Sequence, residues 1–131
     1  MFLDTSGLLC FHHRAEPQHA DAVRLIQSAS RRLTHNYVLA EFVALAQARK
    51  LPRPPALTFV ADLQDNAAVE LVYVSERLHR AALDLLRQRP DKGWSLCDAV
   101  SFLLMAQEGV GEALTTDHHF EQAGLVRLLK P

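Results

Sequence analysis

Four carboxylates in this chain stand where chemistry is often done. Asp4 closes the short apolar opening Met1-Phe2-Leu3, and Glu41 sits in the first turns of a helix-forming stretch that begins at Tyr37. Asp98 follows Ser95 at the spacing of a capping box, and Asp117 follows the run Glu112 to Thr115. Carboxylates a few ångströms apart repel one another and raise their own pKa values, so such a cluster is poorly tolerated unless a cation balances it. The natural partner is Mg²⁺ or Mn²⁺, which wants oxygen ligands, keeps several waters and bridges carboxylates to phosphate oxygens. The chemistry indicated is phosphoryl chemistry.

Each acid also has a plainer use. Asp98 serves equally as the N3 residue of a capping box, and Asp117 as the N-cap of a short helix over 118–123. Glu41 reads as a solvated helix residue, except that positions 38, 39, 42, 43 and 45 are all apolar, so an isolated carboxylate there would be expensive. Asp4, directly after Phe2 and Leu3, is the hardest to explain as decoration.

The four acids are far apart in the chain and can meet only through the fold. Five short apolar or β-branched stretches read as strands: Met1 to Asp4, Arg32 to His35, Val69 to Val74, Glu112 to Thr115 and Leu125 to Leu129. Helices separate them. Ala22, Leu25, Ile26 and Ala29 give helical spacing to His19–Ser30, as do Leu78, Ala81, Ala82, Leu85 and Leu86 to Ser75–Arg89. Asn36 is expected to cap a helix from Tyr37 to about Lys50, which Pro52 ends, and Pro54 and Pro55 lead into another reaching about Asn66. Behind Ser95 runs a helix apolar nearly all round, which places it centrally. Strands alternating with helices predict an α/β chain of three layers: a mainly parallel sheet of about five short strands, covered by helices on both faces. Its ligand site belongs outside the carboxyl ends of the strands, where all four acids fall.

Composition narrows the classes. The chain has 131 residues, 49% of them hydrophobic, which suits one domain with one core and excludes a long disordered or collagen-like chain. Fourteen Lys and Arg against fifteen Asp and Glu exclude the bulk positive field of a general nucleic-acid coat protein, so any nucleic-acid contact is local. Cys10 and Cys97 are too few for a disulfide scaffold and fit a reducing compartment. The start has no signal-peptide pattern and the longest apolar run, near Val100 to Ala106, is far too short to span a bilayer, so a cytoplasmic chain without membrane attachment is expected.

The residues resemble the PIN domain, and within it the VapC-type ribonuclease toxins. The resemblance covers nearly the whole chain, 1–131, as a single PIN domain. It rests on Leu3-Asp4-Thr5-Ser6, Tyr37-Val38-Leu39-Ala40-Glu41, the block from Trp94 to Phe102, and Leu114 to Phe120, four elements in the right order and spacing. It implies that Asp4, Glu41, Asp98 and Asp117 bind one or two Mg²⁺ or Mn²⁺ ions and activate a water that cuts RNA. It further implies that the hydroxyls of Ser6 and Thr115 hydrogen-bond or orient that site. Cys97 stands where such relatives usually have Thr, and the very short first strand is expected to weaken the edge of the sheet. A cognate antitoxin protein and a homodimer are also implied, with apolar surface near residues 17 to 66 as the docking ground for the partner.

The expected reaction is in-line attack by water, leaving a 3′-hydroxyl and a 5′-phosphate, with Glu41 either a ligand or the group that orients the water. Candidate positive contacts to RNA are His12, His13 and Arg14, then Arg49, Lys50 and Arg53, then Lys92, and finally His118 and His119. Trp94 either stacks on a base or packs at the sheet edge. Rival readings are a PIN-domain RNA-processing nuclease outside any toxin pair, a metal-independent ribonuclease built on His12-His13 or His118-His119, and a receiver-like phosphoacceptor module with its Lys130 near the end. A PIN scaffold that binds without cutting is a further possibility, disfavoured by the intact acids.

Overall fold

The computed structural model describes residues 1–131. The elements run β1 (Phe2–Leu3), α1 (Thr5–His12), α2 (His19–Ser28), β2 (Leu33–His35), α3 (Asn36–Ala48), α4 (Arg53–Asp65), β3 (Glu70–Val72), α5 (Glu76–Gln88), α6 (Leu96–Glu108), β4 (Glu112–Leu114), α7 (His119–Gln122) and β5 (Val126–Arg127). Every connection between consecutive strands contains a helix, which lets each strand pair in parallel with its neighbours. All four pairings are parallel, in the order β3-β2-β1-β4-β5. The chain leaves β1 in one direction through β2 to β3, then crosses back to β4 and β5. Right-handed crossovers therefore put α1 to α4 on one face of the sheet and α5 and α6 on the other, giving the three layers expected.

The central strands read as continuous apolar runs because both faces are covered. Phe2, Leu3, Leu33, Ala113 and Leu114 are all buried, whereas Glu70 and Val126 on the two outer strands are exposed. On the helical layers Leu8, Ala22, Val38, Phe42 and Met105 complete the main core, and Ala82 meets Ala99 and Val100 between α5 and α6. Gly7 has a specific cause. A Cβ there would lie 1.9 Å from the carbonyl oxygen of Leu114, so only glycine lets α1 lie this close to β4.

Several expectations are corrected. The first strand does not weaken an edge, because β1 is the centre of the sheet. It is paired on both sides and further tied by Thr34 Oγ1, which donates to the Leu3 carbonyl at 2.9 Å. The helix Thr5–His12 was not expected: its sequence is a short apolar run, which periodicity alone does not assign. Asn36 is not the cap of α3. His35 Nδ1 accepts from the Val38 N–H at 3.3 Å, while Asn36 Oδ1 accepts from the Val74 N–H at 2.7 Å and ties α3 to the chain beyond β3. Asp117 makes the expected side-chain cap at the start of α7, its Oδ1 accepting from the His119 N–H at 2.9 Å, while His118 makes no such bond. The receiver-like reading falls with the strand order, since those modules use 2-1-3-4-5 and this sheet is 3-2-1-4-5. No helix is long and apolar enough to cross a membrane.

Candidate active site

In a parallel sheet whose strand order reverses, adjacent connections leave to opposite faces and open a crevice above the carboxyl ends of the two strands concerned. Here those strands are β1 and β4. Asp4 ends the first, and Thr115, Thr116 and Asp117 follow the second.

Asp4 is buried at this point, and its backbone N–H donates to the Leu114 carbonyl at 3.2 Å. Thr115 Oγ1 donates to Asp4 Oδ2 at 2.7 Å, and Ser6 Oγ lies 3.4 Å from the same oxygen and 3.1 Å from Thr115 Oγ1. The two hydroxyls are themselves held: Thr116 N–H donates to Ser6 Oγ at 3.0 Å, and Asp117 N–H donates to Thr115 Oγ1 at 3.0 Å. Ser6 and Thr115 thus fix the orientation of Asp4 and join the start of α1 to the loop that carries Asp117. Burial pushes the Asp4 carboxyl up to about 7. The bonds from Thr115 and Thr5 oppose that rise, and the negative charges of Asp98 and Glu41 add to it.

Asp98 takes the capping role the sequence allowed. Its Oδ2 accepts from the Ser95 N–H at 3.0 Å while Ser95 Oγ accepts from the Asp98 N–H at 3.0 Å, a complete capping box. The same Oδ2 lies 3.1 Å from His119 Nδ1. Asp117 makes a local turn, its Oδ1 accepting from the His119 N–H at 2.9 Å, and its Oδ2 lies 3.4 Å from His119 Nδ1. Glu41 departs from the expectation of an acid embedded among apolar neighbours. Val38, Leu39 and Phe42 turn into the core and leave Glu41 exposed on α3, so its cost is small; its charge nevertheless reaches Asp4 and Cys97. Cys97 is buried beside the acids, and burial followed by the charges of Glu41, Asp4 and Asp98 pushes its thiol far above the usual range, so it stays protonated.

The donor set fits a divalent cation. Asp4 is a buried carboxylate with only hydroxyl and N–H partners, no Lys or Arg pairs with any of the four acids, and the buried Thr5 Oγ1 beside Asp4 has no hydrogen-bond partner. The charges of Asp98 and Glu41 reach Asp4, and Asp117 is linked to Asp4 through Thr115 and to Asp98 through His119. The one set of three metal-ligating side chains with ligand atoms within 4.8 Å of one another is Asp117, His118 and His119.

The candidate RNA contacts divide. His118 and His119 belong to the crevice. His12 closes α1 and His13 and Arg14 follow it, and the eight residues of that helix carry the chain about 12 Å away from Asp4. His12 packs against Phe42 and Phe59, with ring centroids 5.7 and 4.9 Å away, and its burial lowers its pKa. Arg49 pairs with Glu16 and Arg53 with Gln47, and Lys92 sits 3.8 Å from Asp91. Trp94 packs edge-on against Phe102 at 5.0 Å and donates from Nε1 to Gln122 at 3.0 Å, so it is a structural residue and not a stacking platform.

Sequence reasoning missed His35 and Thr5. His35 is fully buried below the crevice, its Nε2 2.8 Å from Ser101 Oγ, which in turn donates to the Cys97 carbonyl at 2.8 Å. That arrangement makes Nε2 the donor and leaves Nδ1 to cap α3, so the ring is neutral; burial lowers its pKa to about 4. A polar residue closing a strand just before a helix was the available signal.

Residues 1–125 match the PIN domain family. Over 129 residues, 98% of this chain and 97% of the relative, the sequence is 29% identical to the 23S rRNA-specific endonuclease VapC20 of Mycobacterium tuberculosis. It is 27% identical over 105 residues to a VapC ribonuclease of Archaeoglobus fulgidus, covering 76% of this chain and 65% of that one. The crystal structure of the M. tuberculosis VapC20, described as a sarcin-ricin loop cleaving toxin, superposes with a TM-score of 0.88 at 29% identity, covering 99% of this chain and 98% of that one.

Proposed function

The chain belongs to the PIN domain family, and from that premise we propose that it is a divalent-metal-dependent endoribonuclease, the toxin of a toxin-antitoxin pair, folded as one domain. The observation that carries the reading is the buried Asp4, held by Thr115 and Ser6 at the switch point of the sheet with Asp98, Glu41 and Asp117 around the same crevice and no Lys or Arg paired with any of them. Asp4, Asp98 and Asp117 are the proposed ligands of Mg²⁺ or Mn²⁺. When bound, such an ion polarises a phosphate oxygen and lowers the pKa of a water so that hydroxide is available near neutral pH.

The chain's own residues supply the rest. Thr115 and Ser6 fix the Asp4 carboxylate before any ligand arrives, so little reorganisation is needed. The capping box and the contact with His119 fix the Asp98 carboxylate at the start of α6. Glu41, exposed and near Asp4, is placed to orient the attacking water or to join the ligands. Attack by water in line with the leaving oxygen gives a 3′-hydroxyl and a 5′-phosphate.

The M. tuberculosis relative is named for 23S rRNA and for the sarcin-ricin loop, which makes that loop the first substrate to test. For the antitoxin, the supporting feature is an apolar groove whose Ile26, Phe59 and Leu63 fall within the region expected to dock a partner, its lining completed by Leu8, Phe11 and Val69 from outside that region. A homodimer and a cytoplasmic setting complete the proposal by analogy with such toxins.

The test is cleavage of a sarcin-ricin loop RNA with and without a chelator, followed by analysis of the ends. Cleavage that stops with chelator, returns with Mg²⁺ or Mn²⁺ and leaves 5′-phosphates supports the reading. Cleavage that persists in chelator and leaves a 2′,3′-cyclic phosphate overturns it and assigns the reaction to histidines instead.

A further inference from the structure

Two imidazoles border the acidic crevice, and the metal chemistry described so far does not use them. His119 is the first residue of α7 and His118 precedes it, their rings 4.7 Å apart. We propose that His119, assisted by His118, joins Asp117 in giving the cation site a nitrogen ligand at the edge of the acids, so that this chain holds a transition ion such as Mn²⁺ in preference to Mg²⁺. The inference rests on the reading of the acids as metal ligands and specifies which ion they prefer.

The distances support it. His119 Nδ1 lies 3.1 Å from Asp98 Oδ2 and 3.4 Å from Asp117 Oδ2, and His118 Nδ1 lies 3.7 Å from Asp117 Oδ1. Two ligand atoms each about 2.1 Å from one ion are about 3.0 Å apart in octahedral and about 3.4 Å apart in tetrahedral coordination. The observed separations fall at or near those values. The 3.4 Å gap to Asp117 Oδ2 is also longer than a good N–H···O hydrogen bond, so that pair gains little from direct contact.

Exposure agrees. The His119 side chain is 24% exposed and that of Asp98 is 10% exposed, so both are positioned yet open to an ion entering from solvent. His118 is more exposed at 65%, which suits a ligand that swings in. Imidazole suits transition ions such as Fe²⁺, Ni²⁺ or Zn²⁺ best, and Mn²⁺, itself a transition ion, accepts a nitrogen donor more readily than Mg²⁺, which keeps to carboxylate, carbonyl and water, so a nitrogen donor at this point shifts selectivity.

The experiment is pulsed electron paramagnetic resonance of Mn²⁺ bound to the full chain, with Mg²⁺ competition, in wild type, His119→Phe, His119→Gln and His118→Gln. The expected result is ¹⁴N modulation on Mn²⁺ in wild type, lost in both His119 variants, with the preference for Mn²⁺ over Mg²⁺ falling at least about tenfold. His119→Gln keeps a polar side chain of similar reach, so a loss shared by both variants is not a folding artefact. Mn²⁺ bound to wild type without nitrogen modulation overturns this inference and leaves the carboxylate site standing. Nitrogen modulation that survives in His119→Phe and disappears in His118→Gln also overturns it, since His118 is then the principal ligand. Failure of the underlying reading shows separately, as RNA cleavage that ignores chelator.

Discussion

The two ends of the sheet handle charge in opposite ways. At the amino ends of the strands Arg31 bridges two acids, donating to Glu70 and Glu108 at 2.6 Å each, and the Met1 amine donates to the Arg31 carbonyl at 3.0 Å. Acid and base cancel there. At the carboxyl ends four acids gather with hydroxyls, backbone N–H groups and imidazoles, and with no Lys or Arg ion pair. Asp4 is the extreme case, a carboxyl pushed up to about 7 chiefly by burial. A fold under selection for stability alone would pair that charge as it pairs Glu70. On the proposed reading, the unbalanced end is where a bound cation supplies the positive charge.

The largest expected effect breaks the unbalanced end. Asp4→Asn or Asp98→Asn should reduce RNA cleavage at least about a thousandfold while circular dichroism stays native, because each removes one proposed ligand from a site worth several kcal/mol to the reaction. Unchanged cleavage in both variants would remove the distinction between the two ends. Next in size is the packing that places the site. Gly7→Ala should cost about 3 kcal/mol or more in urea unfolding, since its methyl group meets the Leu114 backbone, which has no freedom to yield.

A third prediction uses two buried groups that titrate in the same interval with opposite sign. Asp4 rises from 3.8 to about 7 on folding, so its stabilising effect is complete below pH 4 and is lost by about pH 7, a change of about 4 kcal/mol. His35 falls from 6.5 to about 4, so its contribution is lost as pH drops from 6.5 to 4, a change of about 3 kcal/mol. The two nearly cancel in the metal-free wild type. Asp4→Asn should therefore uncover a stability that climbs with pH between about 4 and 6.5, measured by urea unfolding across that interval, where the wild type is comparatively flat. The smallest effect belongs to the balanced end: Arg31→Gln should leave cleavage within about twofold of wild type, because exposed ion pairs contribute little and none touches the crevice.

Much of this was legible in the sequence because it is periodic or punctuated. Five strands, six helices and the layering follow from alternating apolar runs, and the capping box at Ser95 and Asp98 appears as written. The placement of Asp4, Asp98 and Asp117 was readable because strand ends and helix starts of a parallel sheet share one edge. The α1 helix was not legible, since Leu8-Leu9-Cys10-Phe11 carries no periodicity and its position depends on Gly7 clearing a carbonyl of a distant strand. Glu41 was misjudged for a related reason: a list of apolar neighbours does not say which way a helix face turns. His12 looked basic and free until two phenylalanines from α3 and α4 closed on it.

The most direct test of the central claim is calorimetric titration of Mg²⁺ and Mn²⁺ into the metal-free chain at pH 7, in buffers of differing ionisation enthalpy, for wild type and Asp4→Asn. Binding by the wild type with release of a proton as Asp4 is forced to ionise, and loss of both binding and proton release in Asp4→Asn, is the predicted result. Equal binding by the two proteins would contradict it.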